Sequence, residues 1–244
     1  MSSLIEVRSL VKRFGAKIVL RQLNFHVETG EFVALLGPNG AGKTTFLRIL
    51  ASLARPSLGE VWVAGFRLPQ QAAHVRRRLG VVSHQPLLYG DLSAEENLRF
   101  YGRMYAVKDL EARIHEVLEL VGLVARRRDL VRTFSRGMQQ RLAIGRAILH
   151  DPDVLLLDEP HTGLDQDACD MLDGVLRQIA GQGRTVVMTS HDLARVEDLA
   201  SRFDVLTGGR ITASQPADGL PRDGLLAFYR QALESQRSLQ GATR

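Results

Sequence analysis

The stretch that decides the fold is Gly37-Pro38-Asn39-Gly40-Ala41-Gly42-Lys43-Thr44-Thr45. It fits the phosphate-loop pattern G-x-x-x-x-G-K-[ST] at every constrained position. A short apolar run, residues 31–36, precedes it and predicts a buried strand, while residues 45–50 follow it with helical spacing. Because glycines let the backbone turn tightly, the N–H groups of the loop can converge on phosphate oxygens, and the helix start adds its free amides. We therefore predict a phosphate site rather than a glycine-rich turn without a ligand, with Lys43 at the β/γ-phosphates and the Thr44 hydroxyl on Mg²⁺.

The composition predicts a globular protein with a substantial core. The 244 residues are enough for one large α/β domain or for a core with a subdomain. No apolar run reaches about 18 residues, so we expect no transmembrane helix, and residues 1–6 lack the basic-then-apolar build of a signal peptide. The single cysteine, Cys169, excludes an internal disulfide and a cysteine metal cluster. These features predict a cytosolic protein, and the net charge of +5 suits nucleotides, an anionic membrane face or nucleic acid as partners.

Strand and helix patterns alternate along most of the chain, which predicts a parallel sheet as its core. Residues 4–36 alternate between apolar and polar like strands. From about residue 87 to residue 150, helical periods replace that alternation and predict a helical insert, with Ser93 in a capping box at the start of its first helix. We also predict a helix from Pro69 to about Arg78 and, in the tail, a helix from Leu225 to Leu239.

Three polar side chains follow two later apolar runs that predict buried strands. Asp158 and Glu159 end the first run, and His191 follows the second. Ligand sites in open α/β sheets gather at the carboxyl ends of the strands. Asp158 would then hold Mg²⁺ directly or through water, Glu159 could polarise an attacking water, and His191 could sense the γ-phosphate. The alternatives are a solvated acidic pair and a structural histidine.

Two further segments have the chemistry of ligand contacts. Residues 134–141, Phe-Ser-Arg-Gly-Met-Gln-Gln-Arg, begin a helix that Ser135 can cap, and Gly137 leaves a backbone N–H accessible, which makes a second anion site. Phe14, in a turn-like stretch before Gly15, could stack on a base. From the residue alone, a core or turn aromatic is the preferred interpretation of Phe14.

These segments resemble the nucleotide-binding subunit of an ABC transporter over roughly residues 4–213. The motifs occur in the family's order: the adenine-stacking aromatic (Phe14), Walker A (residues 37–45), the signature segment (residues 134–141), Walker B (residues 154–159), the D-loop (Gly163-Leu164-Asp165) and the switch histidine (His191). The resemblance implies an α/β P-loop NTPase with a RecA-like parallel sheet core, an N-terminal antiparallel β subdomain and the inserted α-helical subdomain. The nucleotide-binding domain would span residues 1–213, and residues 214–244 would form a partly helical tail.

The sequence departs from the family pattern at three points. Phe14 replaces the commoner tyrosine, and stacking survives. In the signature segment, Arg136 and Met138 replace the first small glycine and the glutamine. We expect activity to be kept, because the Ser135 hydroxyl and the Gly137 amide carry the phosphate contact. In the Q-loop, counting back from Asp91 puts His84 where glutamine usually stands, with Gln85 one place later. Either His84 or Gln85 could therefore be the residue that senses Mg²⁺ and water.

The resemblance also implies the cofactors, the partners and the location. ATP and Mg²⁺ would bind between two subunits that meet head to tail, with each ATP between Lys43 of one copy and Ser135 of the other. Asp165 joins the ATP-binding residues, and a homodimer is expected. A separate membrane permease would dock near residues 87–89, so the protein would be cytoplasmic and peripheral on the inner face of the cell membrane. No nucleic acid partner is expected.

The amino-acid sequence of residues 81–105 and 131–146 is similar to that of the ATPase of the cytochrome c maturation, or haem-export, transporters. Three alternatives stay open at this point. They are an ABC exporter of lipid or drug substrates, a soluble ABC ATPase that acts on the ribosome or on nucleic acid, and a metabolite kinase built on a phosphate loop.

Overall fold

The computed structural model describes residues 3–83, 85–221 and 224–241, with side chains described as far as residue 235. The elements are, in order, β1 (Ser3–Phe14), β2 (Lys17–Glu28), β3 (Phe32–Leu36), α1 (Lys43–Leu50), β4 (Leu58–Val63), β5 (Phe66–Leu68), α2 (Ala72–Arg77), β6 (Leu79–Val82), α3 (Ala94–Met104), α4 (Leu110–Leu120), α5 (Arg136–Ile148), β7 (Val154–Asp158), α6 (Gln166–Gly181), β8 (Thr185–Ser190), α7 (Leu193–Glu197), β9 (Arg202–Thr207), β10 (Arg210–Pro216) and α8 (Leu225–Gly241).

The core is a six-stranded sheet in the order β10-β9-β3-β8-β7-β6, and only the edge pair β10–β9 is antiparallel. All five residues of β3 and all six of β8 are buried. Strands that are covered on both faces have apolar side chains at consecutive positions, so apolar and polar residues do not alternate in these segments. The register pairs Leu36 with Ser190 and Asp158 with Thr189, so the carboxyl ends of β3, β7 and β8 meet at one edge. The predicted parallel core is confirmed.

A second sheet, in the order β2-β1-β4-β5, is antiparallel throughout. Its apolar face packs with α1 against the other side of the core sheet, and Phe25 meets Phe46 edge to face at 5.1 Å between ring centroids. This sheet confirms the predicted antiparallel β part of the fold. The helix predicted from Pro69 is wrong at its start, since α2 begins at Ala72. The Gln71 side chain accepts a hydrogen bond from the Arg67 N–H at 2.8 Å, which holds the residues between them in a turn.

Helices α3, α4 and α5 lie between β6 and β7, where the sequence predicts the helical insert. The capping box at Ser93 is present: the Glu96 N–H donates to the Ser93 hydroxyl at 3.2 Å, and the Ser93 N–H donates to the Glu96 carboxylate at 2.8 Å. The end of α4 is covered by the buried guanidinium of Arg141, which donates to the Val121 carbonyl at 2.9 Å. The domain boundaries at residues 87, 150 and 213 stay predictions.

The last part of the chain closes the far edge of the core. Helix α8 packs against β9 and β10 through Leu225 and Ala232, both of which are buried. It begins at the predicted residue and runs two residues further than predicted. In the described ranges, no helix has the length and the hydropathy that crossing a bilayer would require.

Candidate functional site

The phosphate loop connects β3 to α1 in a conformation that requires glycine at two positions. Gly37 and Gly42 have φ angles of 152° and 109°. A Cβ atom at Gly37 would lie 2.2 Å from the Leu206 carbonyl oxygen, and one at Gly42 would lie 2.9 Å from the Leu20 side chain. Because a side chain at either position would collide with these neighbours, only glycine allows the tight turn that leads the loop into the start of α1.

The loop borders a cavity of about 470 Å³. Residues 38–45 form one wall, and Lys17, Ile18, Val19 and Arg21 of β2 form another, with Glu159 and the Gly208-Gly209 turn completing the lining. The Arg21 N–H donates to the Gly209 carbonyl at 2.8 Å, which ties β2 to the turn. The wall from β2 has no counterpart among the predicted site residues. The Gly208-Gly209 pair is a sequence signal that could have identified this side of the cavity.

Lys43 is the buried cation in the lining of this cavity, and its side chain is 5 % exposed. Its ammonium group donates to the Gly37 carbonyl at 2.7 Å and to the Pro38 carbonyl at 3.4 Å. It lies 3.7 Å from the Glu159 carboxylate. A buried ammonium held by two carbonyls and one distant carboxylate has strong affinity left for the oxygens of a phosphate.

Thr44 and Asp158 come together as predicted, although 114 residues separate them. The Thr44 hydroxyl donates to Asp158 Oδ1 at 3.2 Å, and the Thr189 hydroxyl donates to the same oxygen at 2.8 Å. Hydroxyl and carboxylate oxygens are ligands that Mg²⁺ binds. The described part of the chain has no group of three or more His, Cys, Asp or Glu side chains arranged to hold a metal. A Mg²⁺ ion here would therefore need phosphate or water oxygens as its other ligands, as is usual for this ion.

Glu159 is surrounded by the other polar groups of the site. Its carboxylate lies 3.3 Å from His191 Nδ1 and accepts from the Thr162 hydroxyl at 3.3 Å. Its N–H donates to the Thr189 hydroxyl at 2.9 Å. Glu159 also has a φ of 49°, an unusual conformation for a residue with a side chain, and such strain concentrates at functional positions. The exposed His191 and the half-buried Glu159 form a pair that water can reach.

Ser135 and Asp165 cap helices, and neither they nor Gly137 line the cavity. Ser135 caps α5 by accepting from the Met138 N–H at 3.2 Å, and Asp165 caps α6 by accepting from the Ala168 N–H at 2.8 Å. A Cβ atom at Gly137 would lie 2.7 Å from that of Ala168, so the glycine allows α5 to approach α6. One copy of the chain therefore does not bring Ser135 into the lining of the cavity beside Lys43.

The remaining predicted residues differ in their placement. Phe14 is exposed at the end of β1, where its ring meets the Lys12 ammonium at 4.7 Å from the ring centroid. It does not line the cavity, but it pairs across the sheet with Lys17, which does. Gln85 is exposed and does not line the cavity, and its carbonyl accepts from the Ser83 hydroxyl at 2.7 Å. His84 lies outside the described residues. The choice between His84 and Gln85 stays open.

Comparison with known proteins gives consistent matches. The ABC transporter family model matches residues 20–162. A linearmycin resistance ATP-binding protein of Bacillus subtilis is 36% identical over 212 residues, which cover 86% of this chain and 68% of the relative. A Nod factor export ATP-binding protein I of Burkholderia lata is 39% identical over 219 residues, with coverage of 89% and 71%.

Solved structures agree with these matches. A structure described as the ATP-binding subunit of an ABC transporter superposes with a TM-score of 0.84 at 31% identity, covering 94% of this chain and 99% of that one. A dimeric ATP-binding cassette in a post-hydrolysis state, bound to ADP and Pi, superposes with a TM-score of 0.78 at 27% identity, with coverage of 87% and 98%.

Proposed function

This chain belongs to the ABC transporter family as an ATP-binding subunit with ATPase activity, and from that premise we propose that it powers export through a separate membrane permease. One observation carries the proposal. The phosphate loop with Lys43, the Asp158–Glu159 pair and His191 converge at one edge of the core sheet. That convergence is what ATP hydrolysis requires, namely a cradle for phosphates beside a carboxylate that can accept a proton.

Nucleotide binding follows from the free bonding capacity of the loop. The Lys43 ammonium would exchange its two carbonyl acceptors for β/γ-phosphate oxygens, which bind it more strongly because they are charged. The Thr44 hydroxyl and the Asp158 carboxylate would hold Mg²⁺, which would neutralise charge that develops on the phosphates. Phe14, which pairs across the sheet with Lys17 of the cavity wall, would stack on the adenine, and the loop of residues 37–45 would supply backbone amides to the phosphates.

Hydrolysis would use the Glu159–His191 pair. Glu159 would accept a proton from the attacking water, since its carboxylate lies 3.7 Å from the Lys43 ammonium that would hold the β/γ-phosphates. His191, 3.3 Å from that carboxylate, would orient both the water and the γ-phosphate. Gln85 or His84 would report the state of Mg²⁺ and water to the neighbouring helices.

A second copy of the chain would complete the site. Ser135 and Gly137 offer a hydroxyl and a helix N-terminus to an anion, yet they do not line the cavity of their own chain. A head-to-tail dimer would place them, with Asp165, against the nucleotide held by Lys43 of the other copy. The related cassette described as dimeric supports this arrangement. We propose a homodimer, because this chain contains both halves of the site.

Docking to the permease would use an exposed apolar groove between the core sheet and the helical insert. A cavity of about 190 Å³ lies there, with Leu53, Leu87 and Tyr105 among its lining residues, all three of them exposed. The neighbouring turn is held by the fully buried Asn97, which donates to the Tyr89 carbonyl at 3.0 Å and accepts from the Tyr89 N–H at 2.8 Å. A cytoplasmic helix of the permease fits such a groove, which would keep the subunit at the inner face of the membrane.

The names of the relatives support export without identifying the substrate. They refer to Nod factor export and linearmycin resistance, whereas the haem-export hypothesis depends only on the likeness of residues 81–105 and 131–146. Haem or cytochrome c maturation therefore stays a narrower prediction, and export of an organic molecule is the proposal. Recovery of the subunit with a membrane protein at moderate salt tests the partner, and recovery with RNA or DNA instead would favour the nucleic-acid alternative.

The Glu159→Gln variant tests the chemistry. The amide keeps the shape of the side chain but does not act as a base, so we expect normal ATP binding and a loss of turnover of at least about 100-fold. His115→Gln serves as a control, because His115 lies on the exposed surface of α4, where it pairs with Glu119 at 3.3 Å. Hydrolysis by Glu159→Gln at the normal rate would remove Glu159 from the chemistry.

A further inference from the structure

A second polar cluster lies beside the catalytic edge, which we call the inner cluster: His161, Asp170, Asp173 and Arg195. His161 Nε2 is 2.6 Å from Asp173 Oδ1. The Arg195 guanidinium donates to Asp173 Oδ2 at 2.9 Å and also to Asp170. The side chains of His161 and Asp173 are 8% and 6% exposed. The inner cluster is thus a network, buried at His161 and Asp173 and exposed at Asp170, that joins three segments: the turn after β7, helix α6 and helix α7.

The inner cluster is connected to Glu159 through a tight turn. The Thr162 N–H donates to the Glu159 carbonyl at 3.1 Å, and the Leu164 N–H donates to the His161 carbonyl at 3.2 Å. The Thr162 hydroxyl also reaches the Glu159 carboxylate at 3.3 Å. Because these bonds leave the turn little freedom, the position of the His161 ring constrains the position of the Glu159 side chain.

The same network is connected to His191 from the other side. The Arg195 N–H donates to the Asp192 carboxylate at 3.4 Å, and the Asp192 N–H donates to the Ser190 hydroxyl at 3.0 Å. His191 lies between Ser190 and Asp192, so the loop that carries it is held at both neighbours. A cavity of about 260 Å³ has Glu159, His161, His191 and Arg195 in its lining, which places the inner cluster directly beside the catalytic pair.

Asp173 is the member on which the network depends. Burial acts to raise its pKa, but hydrogen bonds from His161 and Arg195 outweigh burial and lower the pKa of the carboxyl, so it is ionised at neutral pH. His161 Nδ1 is buried with no hydrogen-bond partner in the described part of the chain. Loss of the Asp173 carboxylate would leave the His161 ring without its charged partner and would remove one of the two carboxylates that bind the Arg195 guanidinium.

We propose that Asp173 is a positioning residue for ATP hydrolysis, which holds the turn of Glu159 and the loop of His191 in fixed relation without touching the nucleotide. The proposal depends on the roles given above to Glu159 and His191. A purely structural ion pair would instead affect only the stability of the fold. The two roles differ in one measurable respect, because positioning changes turnover per folded molecule at saturating ATP.

The test uses the full chain with Asp173→Asn, which keeps the size of the side chain and removes its charge. We expect kcat to fall by about tenfold or more, because small displacements of catalytic groups are costly. The KM for ATP stays within about twofold, since none of the side-chain hydrogen bonds and ion pairs described for the inner cluster reaches residues 37–45. Asp173→Glu retains a carboxylate and is expected to recover part of the lost kcat.

Asp204→Asn provides the matched control. Asp204 is a buried partner of Arg202 on β9, with the same pairing of carboxylate and guanidinium. This variant is expected to lower the Tm and to keep the wild-type kcat per folded molecule. The inference is overturned if Asp173→Asn behaves like Asp204→Asn while Glu159→Gln is inactive. If Glu159→Gln hydrolyses ATP normally, the assignment of Glu159 and the inference fall together.

Discussion

Replacing Thr189 with valine tests how the core sheet holds the catalytic carboxylates. Thr189 is fully buried on β8, where its hydroxyl donates to Asp158 Oδ1 at 2.8 Å and accepts from the Glu159 N–H at 2.9 Å. Valine has nearly the same shape but no hydroxyl. The substitution therefore removes both hydrogen bonds without opening a cavity, and it leaves the Glu159 N–H without this acceptor.

The magnitude follows from those two bonds. A hydrogen bond to a charged group contributes about 1.5–3 kcal/mol, and a buried donor left unpaired costs about 1–3 kcal/mol. Since the carboxylate keeps its contact with Thr44, we expect the free energy of unfolding to fall by about 2–4 kcal/mol. Turnover should fall by roughly 10- to 100-fold, because Asp158 and Glu159 both lose the group that orients them.

Urea unfolding and ATPase assays over a range of Mg²⁺ concentrations measure both effects. Thr189→Ser is the control, because it keeps the hydroxyl and loses only a methyl group, at a cost of about 1 kcal/mol. We expect Thr189→Ser to keep most of the activity and Thr189→Val to need more Mg²⁺. A Thr189→Val protein with the unfolding free energy and kcat of the wild type would refute the reasoning.

Two further predictions concern charge. Lys43→Ala should weaken ATP binding by at least about tenfold in calorimetric titration, because the cavity loses its buried cation; unchanged affinity would contradict the assigned phosphate loop. The ring of His150 stacks on that of Tyr105 with 3.9 Å between the ring centroids, and burial lowers the pKa of His150 to about 4. Between about pH 6.5 and pH 4, the unfolded chain therefore binds a proton at His150 that the folded chain does not. The free energy of unfolding should decrease by about 2–3 kcal/mol as the pH falls through this window, and it should stay level above pH 7. His150→Phe should flatten that dependence in urea unfolding, and an equal slope in both proteins would exclude His150 as its source.

Local chemistry made much of the fold predictable. The phosphate-loop pattern, the continuous apolar runs and the capping box at Ser93 each depend on neighbouring residues, and the structure confirms the elements they predict. The approach of Asp158 to Thr44 was also predictable, because parallel strands place their carboxyl ends at one edge. The start of α2 was not predictable. There the Arg67 N–H donates a hydrogen bond to the Gln71 side chain, which competes with formation of the first helical turn.

The parts of the site that escaped prediction depend on distant partners. Thr189 looked like one more residue of a buried strand, and nothing near it in sequence marks its two bonds to the carboxylates. The pairing of His161, Asp173 and Arg195 joins three elements through side chains, and no short pattern encodes it. The wall that β2 contributes to the cavity likewise exists only once the two sheets are packed together.

The central claim is that one chain carries two separate halves of a nucleotide site, which a second copy completes. Sedimentation of the Glu159→Gln variant with ATP and Mg²⁺ tests it most directly, because that variant should bind ATP and not release it by hydrolysis. We predict a stable dimer with two bound ATP, which dissociates when Ser135→Arg is added to the same chain. A monomer that stays fully loaded with ATP under these conditions would contradict the claim.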